Sequence, residues 1–524
     1  MKTQQGDHYY SINPFLPCYE YIPDGEPRVF GDRVYIYGSH DLLDSKSYCK
    51  GDYVCWSAQC DDLVHWKFEG TIYKREQDPF VKPKLDAKKG NMLNSHLFAP
   101  DVIEIDGKYY MYYGIGLSNS GLGVAVSNSP SGPFEYLGRV RYPESEKPKG
   151  WKDGKDGIND GDLAFGYGKS VLTSVGHYPY DPGVIYDNGR LFLYYGLAYC
   201  RMVELDASDK RTVLRNPKTG KFESDLLVPG TLNPFGKAKK LAESEGLGMV
   251  NAPSIRKIGD CYYLVYYASG KNNCHAMCYA TSSSPFGPFK YGGILVSIGD
   301  AHLDGSNKAP AFYTGNVHGG LLNINSNWYI IYHRHTGLGM YGRQACVAPL
   351  ILREDGRFDH AEHNCQGFSK SANPAYFRWP AYMACYVTDR QGKTKAHRNS
   401  PIITQIEYTG GLRDDHSDKD VLQVVSNTTN RSVVGYKYLD FDDEKRETMQ
   451  VCLTMRPVSK GTVEVYADAP NSGQLLGKIE VSSFSNSWTD YTATVNALTG
   501  LHSIYFVFNS DDKVLGDFSY FSFT

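Results

Sequence analysis

One pattern recurs five times in this chain: a short apolar strand, a tight turn, and a second strand rich in aromatics. The runs are Phe30 to Gly38 (FGDRVYIYG), Ile105 to Gly114 (IDGKYYMYYG), Asp181 to Gly196 (DPGVIYDNGRLFLYYG), Ile258 to Tyr267 (IGDCYYLVYY) and Ile324 to Tyr332 (INSNWYIIY). A turn such as Asn188-Gly189 between apolar runs is a strong hairpin signal. The hairpins stand roughly 70–80 residues apart, the spacing of a repeated unit. A second echo supports this: Ser-Pro-Ser-Gly-Pro-Phe at 129–134 returns as Ser-Pro-Phe-Gly-Pro-Phe at 284–289. Five copies of a mostly antiparallel, four-stranded sheet make an all-β fold, a five-bladed β-propeller. Radial packing buries both faces of such sheets, so their strands read as apolar runs. Helical periodicity is nearly absent, which excludes an α/β barrel.

A chain of 524 residues is too long for one core. The propeller is expected over residues 10–370, with 142–168 as an irregular loop inside it. After about residue 400 the texture changes to short alternating strands, at Gly435 to Phe441, Val463 to Tyr466, Ser503 to Phe508 and Asp517 to Phe523. These predict a β-sandwich of the jelly-roll kind over 401–524, with 371–400 as the connecting segment. The 42 tyrosines suit both strands and sugar contact. A net charge of −3 points to neither nucleic acid nor an anionic membrane. No apolar stretch is long enough to span a bilayer, and the first residues lack the apolar region of a signal peptide. The expectation is a cytoplasmic protein, with a lost leader left open. The twelve cysteines show no metal-binding spacing and read as buried free thiols.

The propeller resembles glycoside hydrolase family 43, the group of α-L-arabinofuranosidases, β-xylosidases and arabinanases. The carriers are Asp24 before the first unit's strand, His-Leu-Phe-Ala-Pro-Asp at 96–101, Asp181-Pro182, Pro253-Ser254-Ile255-Arg256-Lys257, Gly315-Asn316-Val317-His318-Gly319 and Gly342-Arg343-Gln344. The C-terminal part resembles a family 6 carbohydrate-binding module through Tyr438 to Phe441, Ser487-Trp488 and Asp517-Phe518.

The resemblance implies an inverting, exo-acting hydrolase that releases terminal arabinofuranose or xylose from plant-wall oligosaccharides or polysaccharides. Inversion needs two carboxyl groups on opposite sides of the scissile bond. By resemblance Asp24 is the general base, with Glu26 as the alternative on the same strand face. Asp181 raises the pKa of the acid and orients it. Relatives carry Glu as the acid where this chain has Asn251, and an amide cannot serve as an ordinary proton donor. Three readings stay open: an Asn introduced to trap a ligand, a neighbouring carboxylate (Glu245, or Glu243) that reaches in, or a propeller that binds glycan without ordinary hydrolysis. Arg343 and His318 are expected to contact sugar, with His318 also near a site where relatives hold a cation. Phe98 and Trp56 are candidate stacking walls, and His40 and Asp41 candidate liners of the mouth. Asp101 fixes the second unit's turn. No cofactor is implied for the chemistry. A structural Ca²⁺ is implied in the C-terminal module, held by Glu407 and Asp517, where Trp488 is either a sugar platform or core.

Overall fold

A computed structural model describes residues 10–43, 45–79, 81, 96–115, 121–143, 181–197, 200–220, 222, 224–225, 244–305, 308–369, 371–392, 394, 400–406, 422–482 and 484–524. The alternative acid Glu243, the expected Ca²⁺ ligand Glu407, and nearly all of the 142–168 loop lie outside these residues. Each of the five hairpins forms, and each opens a separate antiparallel sheet. The innermost strands are Glu26–Phe30, Leu97–Ile105, Gly183–Asp187, Gly248–Ile258 and Leu321–Ile324. They neighbour one another in chain order, and Leu321–Ile324 returns to Glu26–Phe30, with a parallel bridge from Gly25 to Gly319. Arg256 Nε donates to Leu321 O at 3.1 Å and joins the fourth to the fifth. The sheets are less uniform than the repeat predicts. Among the described residues the fifth has three strands, and the third ends in two short outer strands, Val213–Leu214 and Ser224–Asp225.

The second strand of each hairpin explains the tyrosine excess. Its residues point alternately to opposite faces, and each face meets a neighbouring sheet. Tyr110 and Tyr112 enter the core shared with the third sheet, while Met111 and Tyr113 enter the core shared with the first. Leu191 and Leu193 likewise face one way and Phe192 and Tyr194 the other. Val34, Ile36 and Trp56 of the first sheet pack with Leu322, Tyr329 and Ile331 of the fifth, so the series of cores closes on itself. Each large side chain buried this way contributes about 1.5–3 kcal/mol. The echoed Ser-Pro-x-Gly-Pro-Phe turns do the same work twice. Tyr37 OH donates to Pro130 O at 2.6 Å, and Tyr194 OH donates to Pro285 O at 2.9 Å, in each case from the preceding sheet.

Close approach of the sheets demands glycine at particular points. A Cβ on Gly183 would stand 2.3 Å from Pro253 O, so the third and fourth sheets meet there backbone to backbone. The C-terminal part is a sandwich of two sheets. Within the stretch expected to connect it, Asn373–Pro374 and Tyr386–Thr388 pair with Ser432–Asp440, and Trp379–Pro380 pairs with Val514–Phe523. The propeller holds this stretch directly: the buried Arg334 guanidinium donates to Tyr382 O at 2.7 Å and Ala384 O at 3.0 Å. One apolar core runs from the fourth and fifth sheets into the sandwich. None of the twelve cysteines is in a disulfide. Among the described residues no helix is long and apolar enough to cross a membrane.

Candidate active site

The site begins where the inner strands begin. Asp24 and Asp181 each precede such a strand, and each holds a positive φ, 57° and 47°. A non-glycine residue in that region is strained, and such strain concentrates at functional sites. Both are buried. His318, which precedes the fifth inner strand, stands between them: its Nδ1 lies 3.7 Å from Asp24 Oδ1 and 3.8 Å from Asp181 Oδ2. Ring closure therefore brings together groups that are far apart in sequence.

Asp24 is held from several sides. Arg343 Nη1 donates to Asp24 Oδ1 at 2.9 Å, and Ser39 Oγ donates to Asp24 Oδ2 at 2.7 Å. Ser39 in turn accepts from Ala99 N–H at 2.7 Å, which ties the first sheet to the second. Asp24 N–H donates to His333 Nδ1 at 3.2 Å. That bond makes Nδ1 the acceptor, so Nε2–H donates to Asn316 O at 3.0 Å and fixes the neutral tautomer. His335 Nε2 donates to the same carbonyl at 2.8 Å. Arg343 also grips Asp41 through two parallel bonds, Nε to Oδ2 at 2.7 Å and Nη2 to Oδ1 at 3.0 Å. The Tyr48 ring covers the guanidinium at 4.7 Å.

The electrostatics follow from burial. Burial alone works against the Arg343 charge, but Asp24 and Asp41 outweigh it and hold its pKa above the ordinary value. Burial pushes the His318 imidazole down to about 4 in spite of Asp24, and His335 likewise to about 4. His333 is pushed down by burial and by Arg343. The three imidazoles are thus neutral near pH 7. Burial raises Asp41 despite Arg343. Asp181 is raised well above the usual carboxylate range, by burial first and then by the charge of Asp24.

Two residues further along each inner strand, on the same face, a second layer fills the axis. Glu26 accepts from Arg256 Nη2 at 2.5 Å and from Ser254 Oγ at 2.8 Å. Asp101 accepts from Arg28 Nε at 2.9 Å and Nη2 at 2.6 Å, and from Val184 N–H at 2.8 Å. Gly320 leaves the room: a Cβ there would stand 2.6 Å from the Glu26 carboxylate. Glu26 is therefore engaged below Asp24, and Asp101 belongs to this floor.

Several expected residues take other places. Trp56 is a core residue between the first and fifth sheets, and its Nε1 donates to Glu20 Oε2 at 2.7 Å. His40 is buried and faces the same carboxylate, with Nε2 3.1 Å from Glu20 Oε1 and Nδ1 3.0 Å from Asp52 O. Trp56 is packed in that core, and both ring nitrogens of the buried His40 face oxygens of Glu20 and Asp52. Glu245 is exposed and accepts from Tyr291 OH at 3.0 Å, a residue of the outermost strand Lys290–Ser297. The structure does not bring Glu245 to Asp24 or Asp181. Glu245→Gln is accordingly expected to leave kcat on a nitrophenyl pentoside within about threefold of the parent, since a surface substitution away from a site changes little. Asn251 and Phe98 occupy matching bulges, Asn251 opposite Tyr267 and Phe98 opposite Gly114, one residue before Ala252 and Ala99. Both alanines have positive φ, 65° and 23°.

In the sandwich, Asp517 does not fit a cation site. Its Oδ1 accepts from Ser426 Oγ at 2.7 Å, and its Oδ2 is paired with Arg456 at 2.9 Å. The same guanidinium covers the half-buried Trp488 ring at 5.2 Å. No group of three His, Cys, Asp or Glu among the described residues is arranged to hold a metal. Sequence reasoning missed Ser39, Glu20, His333 and His335, and gave Asn316 no role of its own. The pattern His333-Arg334-His335 was the available signal, since residues two apart on a strand share a face.

With this geometry in hand, comparison with known proteins is direct. The sequence model of Glycosyl hydrolases family 43 matches residues 27–151 and 168–358, and that of Carbohydrate binding module (family 6) matches residues 409–524. A protein named xylosidase/arabinosidase from Thermoclostridium stercorarium is 35% identical over 510 residues, covering 95% of this chain and 96% of its own. An arabinoxylan arabinofuranohydrolase from Paenibacillus polymyxa is 24% identical over 535 residues, covering 96% of this chain and 71% of its own. A solved family 43 arabinoxylan arabinofuranohydrolase from Bacillus subtilis, in complex with cellotetraose, aligns with a TM-score of 0.45 at 21% identity, covering 98% of this chain and 97% of its own.

Proposed function

The chain belongs to glycosyl hydrolase family 43, and from that premise we propose an inverting, exo-acting hydrolase that releases terminal arabinofuranose or xylose from xylan-type chains. The observation that carries the reading is the pairing of two strained, buried carboxyls, Asp24 and Asp181, about one imidazole edge. The names of the relatives support the sugar class. The filled layer of Glu26, Arg256, Arg28 and Asp101 closes the axis below Asp24, so sugar reaches that carboxyl from one end of the ring. The C-terminal module is proposed to serve the same polysaccharide.

In this mechanism Asp24 takes a proton from water as the water attacks the anomeric carbon. Arg343 and Ser39 keep its two oxygens fixed for that purpose. The leaving oxygen receives a proton from the opposite side, and the anomeric configuration inverts. Water and two carboxyl groups suffice, so no cofactor enters. The rival reading, a propeller that binds glycan without turning it over, rests on Asn251.

The test is incubation with 4-nitrophenyl α-L-arabinofuranoside and β-D-xyloside, with the first-formed anomer followed by proton NMR. Turnover with inversion is expected from at least one. Binding of pentosides with no turnover of either would favour the rival. Retention of configuration, or release of internal fragments from arabinoxylan, would remove the inverting or the exo part.

A further inference from the structure

We propose that Asp181 is itself the proton donor, supplying the leaving oxygen with the proton that Asn251 cannot. The proposal rests on the hydrolase reading above. It starts from a charge count along the axis. Asp24 and Asp41 share Arg343, Glu26 is paired with Arg256, and Asp101 with Arg28. Asp181 is the carboxyl of this group with no guanidinium or ammonium at bonding distance among the described residues.

The groups that face it come from three sheets. Asp24 and Tyr53 approach from the first sheet, Arg343 from the fifth, and His318 from the start of the fifth inner strand. The Ala252 backbone N–H of the fourth sheet and Arg343 favour its ionised form, and burial and Asp24 outweigh them. Asp24, Asp41 and Arg343 already sum to one negative charge. Ionising Asp181 beside them, among neutral imidazoles and out of water, would place a second uncompensated charge in the same buried volume. The arrangement favours one proton held on Asp181, facing an Asp24 that already accepts from Arg343 and Ser39. Ala252, whose N–H acts on this carboxyl, follows Asn251, and Gly183 meets Pro253 backbone to backbone, so the carboxyl lies beside the place from which an acid at 251 would act.

The step balances. Water gives its hydroxyl to the anomeric carbon and its proton to Asp24. The bond from that carbon to the leaving oxygen breaks, its electron pair stays with the oxygen, and the Asp181 proton joins it. One turnover leaves Asp24 protonated and Asp181 ionised. The reverse transfer restores the pair, and His318 Nδ1 lies within 4 Å of both carboxyls.

The experiment compares wild type with Asp181→Asn, and with Asp181→Ala in parallel, on methyl and 2,4-dinitrophenyl glycosides of the same pentose. The methyl leaving group needs protonation and the dinitrophenyl group does not. Asp181→Asn is expected to lower kcat on the methyl glycoside by about 10³-fold and on the dinitrophenyl glycoside by less than about 10-fold, as for loss of a general acid. The alkaline limb of the wild-type kcat/KM profile should vanish with it. Equal losses on both substrates with the limb retained would overturn the assignment and leave Asp181 a positioning residue.

Two readouts stand apart from turnover. Infrared difference spectra of wild type against Asp181→Asn at pH 6 should show a protonated-carboxyl band from Asp181; a carboxylate band in its place overturns the proposal. Protonation is favoured in the folded state, so wild type should lose stability as pH rises from the unfolded carboxylate value toward the raised folded one. Asp181→Asn escapes that loss, so its melting temperature relative to wild type should be higher at pH 8 than at pH 5; no such difference counts against the proposal. If the protonated band is present and no glycoside is cleaved, the hydrolase reading fails while the proton stays assigned to Asp181.

Discussion

Asp24→Asn is expected to lower kcat on a nitrophenyl pentoside by about 10³-fold with a much smaller change in KM, inside the range for loss of a positioned general base. The amide keeps the size of the carboxyl and one acceptor oxygen for Arg343, while its NH2 can only donate to the Ser39 Oγ that donated to the carboxylate. What disappears is the capacity to take a proton from water. A nitrophenol needs little help in leaving, so the loss should be as large on activated as on unactivated substrates, unlike the loss expected at Asp181. Steady-state kinetics on both substrate types checks this. A variant that keeps more than about a tenth of the parent kcat would place the base elsewhere, because a general base contributes roughly 10²–10⁴-fold.

Arg343→Ala should both inactivate the protein and destabilise its propeller. The guanidinium is almost wholly buried and serves two buried carboxyls at once, Asp41 through two bonds and Asp24 through a third. Its removal leaves Asp24 and Asp41 facing each other with no cation, and breaking a buried pair from one side costs about 3–5 kcal/mol. The melting temperature should fall by about 10 °C, given the usual sensitivity of domains of this size. Arg343→Lys should recover little of either loss. An ammonium is a point charge and cannot reproduce the planar fork that reaches Asp41 and Asp24 in fixed directions. Thermal scans and kinetics of the two variants check this. Full stability in Arg343→Ala would mean that the two carboxyls are not held by charge.

Residue type and spacing carried much of the fold, for local reasons. A tight turn between two apolar runs closes a hairpin whatever surrounds it, and all five predicted hairpins form. Asp24 and Asp181 were picked out through the resemblance to family 43, and each sits just before an inner strand, next to Gly25 or Pro182. Trp56 and His40 were misplaced for a related reason. Their types suit a sugar pocket, but on a strand such as that of Trp56 a shift of one residue moves a side chain from pocket to core, and His40 lies in the loop after its strand. Both went to the core, where Glu20 binds them. Glu245 was misplaced because proximity in sequence to Asn251 says nothing of direction, and its carboxylate turns to Tyr291 at the sheet's outer edge.

The sequence alone carried the repeat and the all-β class, because backbone dihedrals and a two-residue period are properties of short segments, and its resemblance to a family pointed to the two carboxyls. The tertiary structure decided which charges meet. Only closure of the ring brings residues 24, 41, 181, 318 and 343 into one buried volume, and only there does a shared arginine leave one carboxyl without a cation. Coulomb energy depends on separation and on exclusion of water, and neither quantity is written in the order of residues along a chain.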